Sequence, residues 1–163
     1  MQKEPISEYG YQKLSKELND LITVQRPQTV KEIDIARQHG DLKENAEYHA
    51  AKEKLAFIEA RTAELNDLAS RVQVVDPSTL KHDRVMFGST VVLEELDTEE
   101  EIEYTIVGAY ESSPEHGLIS FNSPMARALM GKEEGDEVTI KLPGKEETFE
   151  VVKVYYKGED VAK

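Results

Sequence analysis

The 163-residue chain contains no cysteine and no tryptophan, and only four phenylalanines. The first absence excludes disulfides and any thiolate metal site. The second leaves packing to Leu, Ile, Val and Tyr. No apolar run approaches the 18 or so residues of a membrane span, and no signal-peptide pattern is visible, so no membrane contact and a cytoplasmic location are expected. There is no glycine-rich phosphate loop, no evident pairing of a nucleophile with a base, and no internal repeat.

Charge is abundant, at 33% of residues, with a formal net charge of −13. Its distribution is uneven. Residues 1–76 carry 11 basic and 14 acidic side chains, net −3, and residues 77–163 carry 9 and 19, net −10. Independent nucleic-acid binding needs a basic footprint, so little is expected. The acidity serves solubility, or steers the chain onto a basic surface of a protein partner.

Residues 7–39 read as one long helix, with Pro5 and Ser7 as start signals. Tyr11, Leu14, Leu18 and Leu21 form a buried seam, Pro27 interrupts it, and the pattern resumes in a shifted register at Val30, Ile33 and Ala36. Gly40 is suited to stop the helix. A second helix follows over about 46–72. Ala51, Leu55, Ile58, Thr62, Leu65, Ala69 and Val72 repeat at alternating spacings of four and three, a heptad seam. Two long helices joined by a short turn make an antiparallel coiled coil.

After Asp76-Pro77-Ser78 the signal turns to β, with strands expected at 84–93, 102–110, 118–121, 137–142 and 148–156. Pro143-Gly144 marks a hairpin turn. One short helix is expected at 125–130, with Ser123 as N-cap, Pro124 at the first position and Gly131 after its end. The acidic run 97–103 reads as a solvated loop. The fold class is therefore α+β, with an antiparallel coiled-coil domain at 1–76 and a small, mostly antiparallel α+β domain at 77–163.

The junction of the two long helices, residues 40–45, carries two carboxylates three residues apart, Asp41 and Glu44. Asp-x-x-Glu ahead of a helix matches a capping box, with Asp41 as N-cap. Presentation of both acids at the tip of a long hairpin offers a second reading, in chemistry performed on another molecule. Two carboxylates are too few to cage Mg²⁺, which prefers six oxygens, so a metal here would be shared with a partner. His39 and His49 flank the tip but lack the further ligands of a zinc site. Arg37, Lys43, Lys52 and Lys54 read as solvated helix-face charges or as a strip facing a nucleic-acid strand.

The stretch Ala36-Arg37-Gln38-His39-Gly40-Asp41-Leu42-Lys43-Glu44-Asn45-Ala46-Glu47-Tyr48-His49-Ala50-Ala51-Lys52-Glu53 resembles the tip signature of the GreA/GreB family of bacterial transcript cleavage factors. Residues 118–132, Leu-Ile-Ser-Phe-Asn-Ser-Pro-Met-Ala-Arg-Ala-Leu-Met-Gly-Lys, are similar to the family's C-terminal segment, and Pro5, Gly10, Lys13-Leu14 and Glu17-Leu18 fit its start. Glu53 between Lys52 and Lys54 resembles the GreA branch, whose basic spot is smaller than that of the GreB branch.

The resemblance implies an FK506-binding-protein-like C-terminal domain that docks at the secondary channel of RNA polymerase, with Asn122, Ser123, Pro124, Met125 and Leu129 matching the docking region. It implies that Asp41 and Glu44 help hold a second Mg²⁺ jointly with the polymerase, beside the extruded 3′ end of the nascent RNA, and that Arg37, Lys43, Lys52 and Lys54 face that RNA. The chain would act as a monomer and an auxiliary factor, completing the polymerase's hydrolytic site so that backtracked RNA is cleaved and elongation resumes. A channel-occupying inhibitor of the same fold and, from fold analogy alone, a prolyl isomerase are the rivals.

Overall fold

The structure, a computed structural model, describes residues 3–158. It forms two compact units, one of Gln12–Val72 and one joining Lys3–Tyr11 to the described residues from Gln73 onward. Residues 3–11, assigned from sequence to the first domain, fold with the second unit, where β1 (Glu4–Ile6) pairs with β2 (Val72–Val74). The termini of the two expected segments, residues 1–2 and 159–163, lie outside the described residues.

The first unit is the expected helical hairpin. Its outgoing arm is α1 (Glu8–Asp20), a π-helical turn (Leu21–Gln25) and α2 (Arg26–Arg37), and its return arm is α3 (Ala46–Arg71). The pairs Arg26–Glu59, Glu32–Lys54 and Ala36–Asn45 run in opposite senses along the two arms, which makes them antiparallel.

The π-turn is the device behind the shifted register. Pro27 has no N–H to give to the carbonyl four residues earlier. Just before it, the Arg26 N–H reaches back five residues to the Leu21 carbonyl. A π-turn accommodates one additional residue, so a seam that would continue from Leu21 and Gln25 to position 28 continues to Thr29 instead. Thr29 is fully buried, and its hydroxyl donates to the Gln25 carbonyl at 2.8 Å. Ile33 and Ala36 follow on the buried face, whereas Val30, expected there, is exposed. Tyr11, also expected in the seam, is exposed as well.

In α3 the heptad reading holds. Ala51, Ile58 and Leu65 are buried, Leu55, Thr62, Ala69 and Val72 are partly covered, and Phe57, off the seam, is 69% exposed. Arg61 crosses to α1 and grips both oxygens of Glu17, with Nε to Oε2 at 2.8 Å and Nη2 to Oε1 at 3.1 Å.

The second unit is built on a five-stranded sheet in the order β5-β4-β3-β7-β6. The strands are β3 (Thr90–Glu95), β4 (Glu101–Val107), β5 (Leu118–Ser120), β6 (Glu137–Leu142) and β7 (Lys145–Tyr155). All neighbours are antiparallel except β4 and β5. Pro143-Gly144 closes the β6–β7 hairpin between the paired Leu142 and Lys145, with Gly144 at φ +83°. The helix α4 (Pro124–Leu129) is capped as expected, Ser123 Oγ accepting from the Ala126 N–H at 3.2 Å. Its Ala126 and Leu129 enter a core with Val91, Leu93, Ile106, Phe149 and Val151.

Two strand expectations change. Residues 84–89 are not strand; Gly88 sits at φ +85°, with the Pro77 ring where a side chain would be. β4 begins at Glu101, one residue before the strand expected at 102–110, and ends at Val107, with Ala109–Glu111 forming a 3-10 turn.

Candidate functional site at the hairpin tip

The tip is the connection between α2 and α3. α2 ends by tightening. The N–H groups of Gln38, His39 and Gly40 each bond three residues back, to Ile35, Ala36 and Arg37. Gly40 then turns the chain at φ +79°, and Asp41 follows at φ +37°, a region that Asp tolerates better than most residues. The Glu44 N–H closes a turn on the Asp41 carbonyl at 3.1 Å.

The cap of α3 is Asn45, not Asp41. Asn45 Oδ1 accepts the Tyr48 N–H at 3.0 Å, three residues on, the geometry expected of an N-cap. The capping-box reading of Asp41 and Glu44 is thereby replaced. Both acids are exposed, and neither carboxylate has a hydrogen-bond or ion-pair partner among the described residues.

Other side chains hold the turn. Asn45 Nδ2 donates to the Ala36 carbonyl at 2.7 Å and to the Gly40 carbonyl at 3.4 Å. His49 Nε2 donates to the Lys43 carbonyl at 3.0 Å. Neither residue stood out from the sequence as a shaper of the tip. The signal available was an Asn one position before the α3 pattern begins, and a His four residues later on the same helical face.

The four basic residues are not equivalent. Arg37 lies 4.0 Å from Asp34, and Lys54 pairs with Glu32 across the hairpin at 3.4 Å. Lys52 lies over the Tyr48 ring, 5.2 Å from its centre. Lys43 is on the tip itself, exposed, between the two acids in sequence. His39 sits 3.5 Å from Glu47. Among the described residues, no three acidic or histidine side chains gather where they could hold a metal ion. Asp41 and Glu44 are the two exposed carboxylates on this turn.

In the second unit, Asn122 and Pro124 are exposed and Ser123 and Met125 partly so. Leu129 is fully buried and belongs to the core, so it presents no side chain to a partner; the neighbouring Met130 is 40% exposed.

With this geometry in place, comparison with known proteins identifies the chain's relatives. A family model described as the N-terminal part of a transcription elongation factor matches residues 4–74. A second, described as the C-terminal part of the transcription elongation factors GreA and GreB, matches residues 80–156. Together they mark a transcription elongation factor. The chain belongs to the GreA/GreB family. It is 64% identical to the transcription elongation factor GreA of a Nitratiruptor species over 156 residues, covering 96% of this chain and 95% of that protein. It is 62% identical to the corresponding factor of Wolinella succinogenes, covering 96% and 97%. Among solved structures, the GreA factor homolog 1 protein of Thermus thermophilus is 26% identical, with a TM-score of 0.45 over 94% of this chain and 99% of that one.

Proposed function

We propose that this elongation factor works in the cytoplasm on RNA polymerase, entering its secondary channel and stimulating cleavage of the 3′ end of backtracked nascent RNA. The observation that carries this reading is the exposure of Asp41 and Glu44, unpartnered, on the turn between two long helices. The 26 residues of α3 extend about 39 Å at 1.5 Å per residue, enough to carry the acids deep into a cleft of another molecule.

The acids bind a divalent cation only together with ligands of the partner. A Mg²⁺ held there, jointly with the polymerase, would supply a polarised water and charge neutralisation at the RNA phosphate. The chain's own contribution is placement. Asp41 and Glu44 bring negative oxygens to the metal side of the site, and Lys43 stands beside them as a cation for a phosphate or strand. Arg37, Lys52 and Lys54, in or near the first turns below the tip, lie along the same approach for the RNA. The surface around Asn122, Ser123, Pro124 and Met125, with Met130, serves docking, and the strongly acidic C-terminal part favours a basic partner surface. The factor is a monomer and is not a nuclease by itself.

The test is to add the protein to a stalled, backtracked elongation complex. Shortened RNA that can be extended again supports cleavage. Slowed nucleotide addition with no shortening points instead to a channel-occupying inhibitor.

A further inference from the structure

Each tip acid is preceded by a peptide group that a side chain from the cap or the first turn of α3 holds in place. The carbonyl of Gly40, in the peptide leading to Asp41, accepts Asn45 Nδ2 at 3.4 Å. The carbonyl of Lys43, in the peptide leading to Glu44, accepts His49 Nε2 at 3.0 Å. Asn45 does more. The same amide group reaches the Ala36 carbonyl in the last turn of α2 at 2.7 Å, while its oxygen caps the Tyr48 N–H. One side chain therefore fastens the end of the outgoing helix, the turn and the start of the return helix. The acids themselves have no such ties.

We propose that Asn45 and His49 are positioning residues, which fix the direction of Asp41 and Glu44 by holding the peptide groups in front of them. This rests on the reading of those acids as ligands of a shared metal. The physical need is plain. Asp41 has φ +37° next to Gly40 at +79°, a pair of conformations that an exposed eight-residue connection would otherwise exchange for others. Two ligands offered to a site built by another protein act only if their oxygens arrive together, and an error of 1 Å costs about 100-fold in rate. Capping alone does not require asparagine. Serine caps nearly as well but has no amide to give to Ala36 and Gly40.

Two variants of the full-length protein separate positioning from folding. Asn45→Ser keeps a cap and removes the amide donor. His49→Phe keeps a ring beside Tyr48, whose centre lies 5.6 Å from that of His49, and removes the ring N–H. Each is titrated against a backtracked elongation complex at several Mg²⁺ concentrations, with circular dichroism as the check on helix content. The expected result is native helix content and an unchanged half-saturating protein concentration. The saturated cleavage rate should fall on the order of 10-fold or more, with a higher Mg²⁺ requirement. A wild-type saturated rate in either variant overturns the role of that residue. So does a loss confined to the half-saturating concentration, which places the effect in docking, or a loss of helix content, which makes it a folding effect. Asp41→Asn, run alongside, tests the underlying reading separately. If it cleaves like the wild type, Asp41 is not a ligand, whatever the other variants do.

Discussion

Ser7 gives both of its polar hydrogens to Glu111. Its backbone N–H donates to Oε1 at 3.0 Å and its hydroxyl to Oε2 at 2.7 Å, while the hydroxyl oxygen caps α1 by accepting the Gly10 N–H at 3.0 Å. The absence of a side chain on Gly10 makes this possible. A Cβ there would stand 2.4 Å from the Glu111 carboxyl carbon. Sequence showed Ser7 as a start signal, but its partner is 104 residues away.

Gly10→Ala and Glu111→Ala should therefore weaken the same anchor. Hydrogen bonds to a charged group contribute about 1.5–3 kcal/mol, and a loss of that order is expected for Glu111→Ala. Amide exchange at residues 7–10 should quicken in both variants. Unchanged protection there would mean that the Ser7–Glu111 contact does not anchor the helix.

The seam gives a sharper contrast. Ile58 is buried and its neighbour Phe57 is 69% exposed. Ile58→Ala should destabilise the hairpin by about 2–5 kcal/mol, and Phe57→Ala by no more than about 0.5 kcal/mol. Thermal melts of the two variants decide this, and equal losses would contradict the assigned seam.

The π-turn makes a prediction of its own. Deleting the exposed Val24 together with Pro27→Ala removes one residue from the wide turn and restores the missing N–H donor. The buried positions then follow an ordinary helical spacing from Leu14 to Ala36. The variant should melt no lower than the wild type, because an interior proline costs about 3 kcal/mol and is gone. A marked fall would show that the extra residue is needed.

In the globular unit, hydrogen bonds from Lys157, at 2.9 Å, and from the Tyr155 hydroxyl hold the Glu103 carboxyl below its ordinary range. A carboxylate depressed on folding stabilises fully above its unfolded value, about 4.3, and that contribution disappears as pH falls through the folded value. Lys157 is raised by the same contact, so its share is lost only when pH climbs through its folded value, above about 10.4. The stability difference between wild type and Glu103→Gln should be present from about pH 5 to 10 and shrink below that window. A difference that persists at pH 2 would exclude the ionic contact as its source.

Much of this was legible in the sequence, for identifiable reasons. The α3 seam, the α4 cap and the Pro143-Gly144 turn depend on neighbours a few residues apart, and all three stand in the structure. The misreadings involve geometry that spacing does not carry. Asp41 and Asn45 are both capping residues ahead of a helical pattern, and only the path of the turn decides that Asn45 caps. Pro27 announced an interruption, but the choice of a π-turn, and so Thr29 over Val30, depends on packing between the arms. Leu129 and Met130 are adjacent apolar residues of α4 and its end, and the core takes only the first. The strand Glu4–Ile6 is three residues long and exists through pairing with Val72–Val74, far along the chain.

The central claim, that the tip acids act in catalysis and not in binding, is tested most directly with Asp41→Asn and Glu44→Gln. Cleavage of backtracked RNA and competition for polymerase are measured with the same preparations. The account predicts that stimulated cleavage falls at least 100-fold while competition stays within about twofold of the wild type. Cleavage that survives in both variants, or that declines only in step with binding, would contradict it.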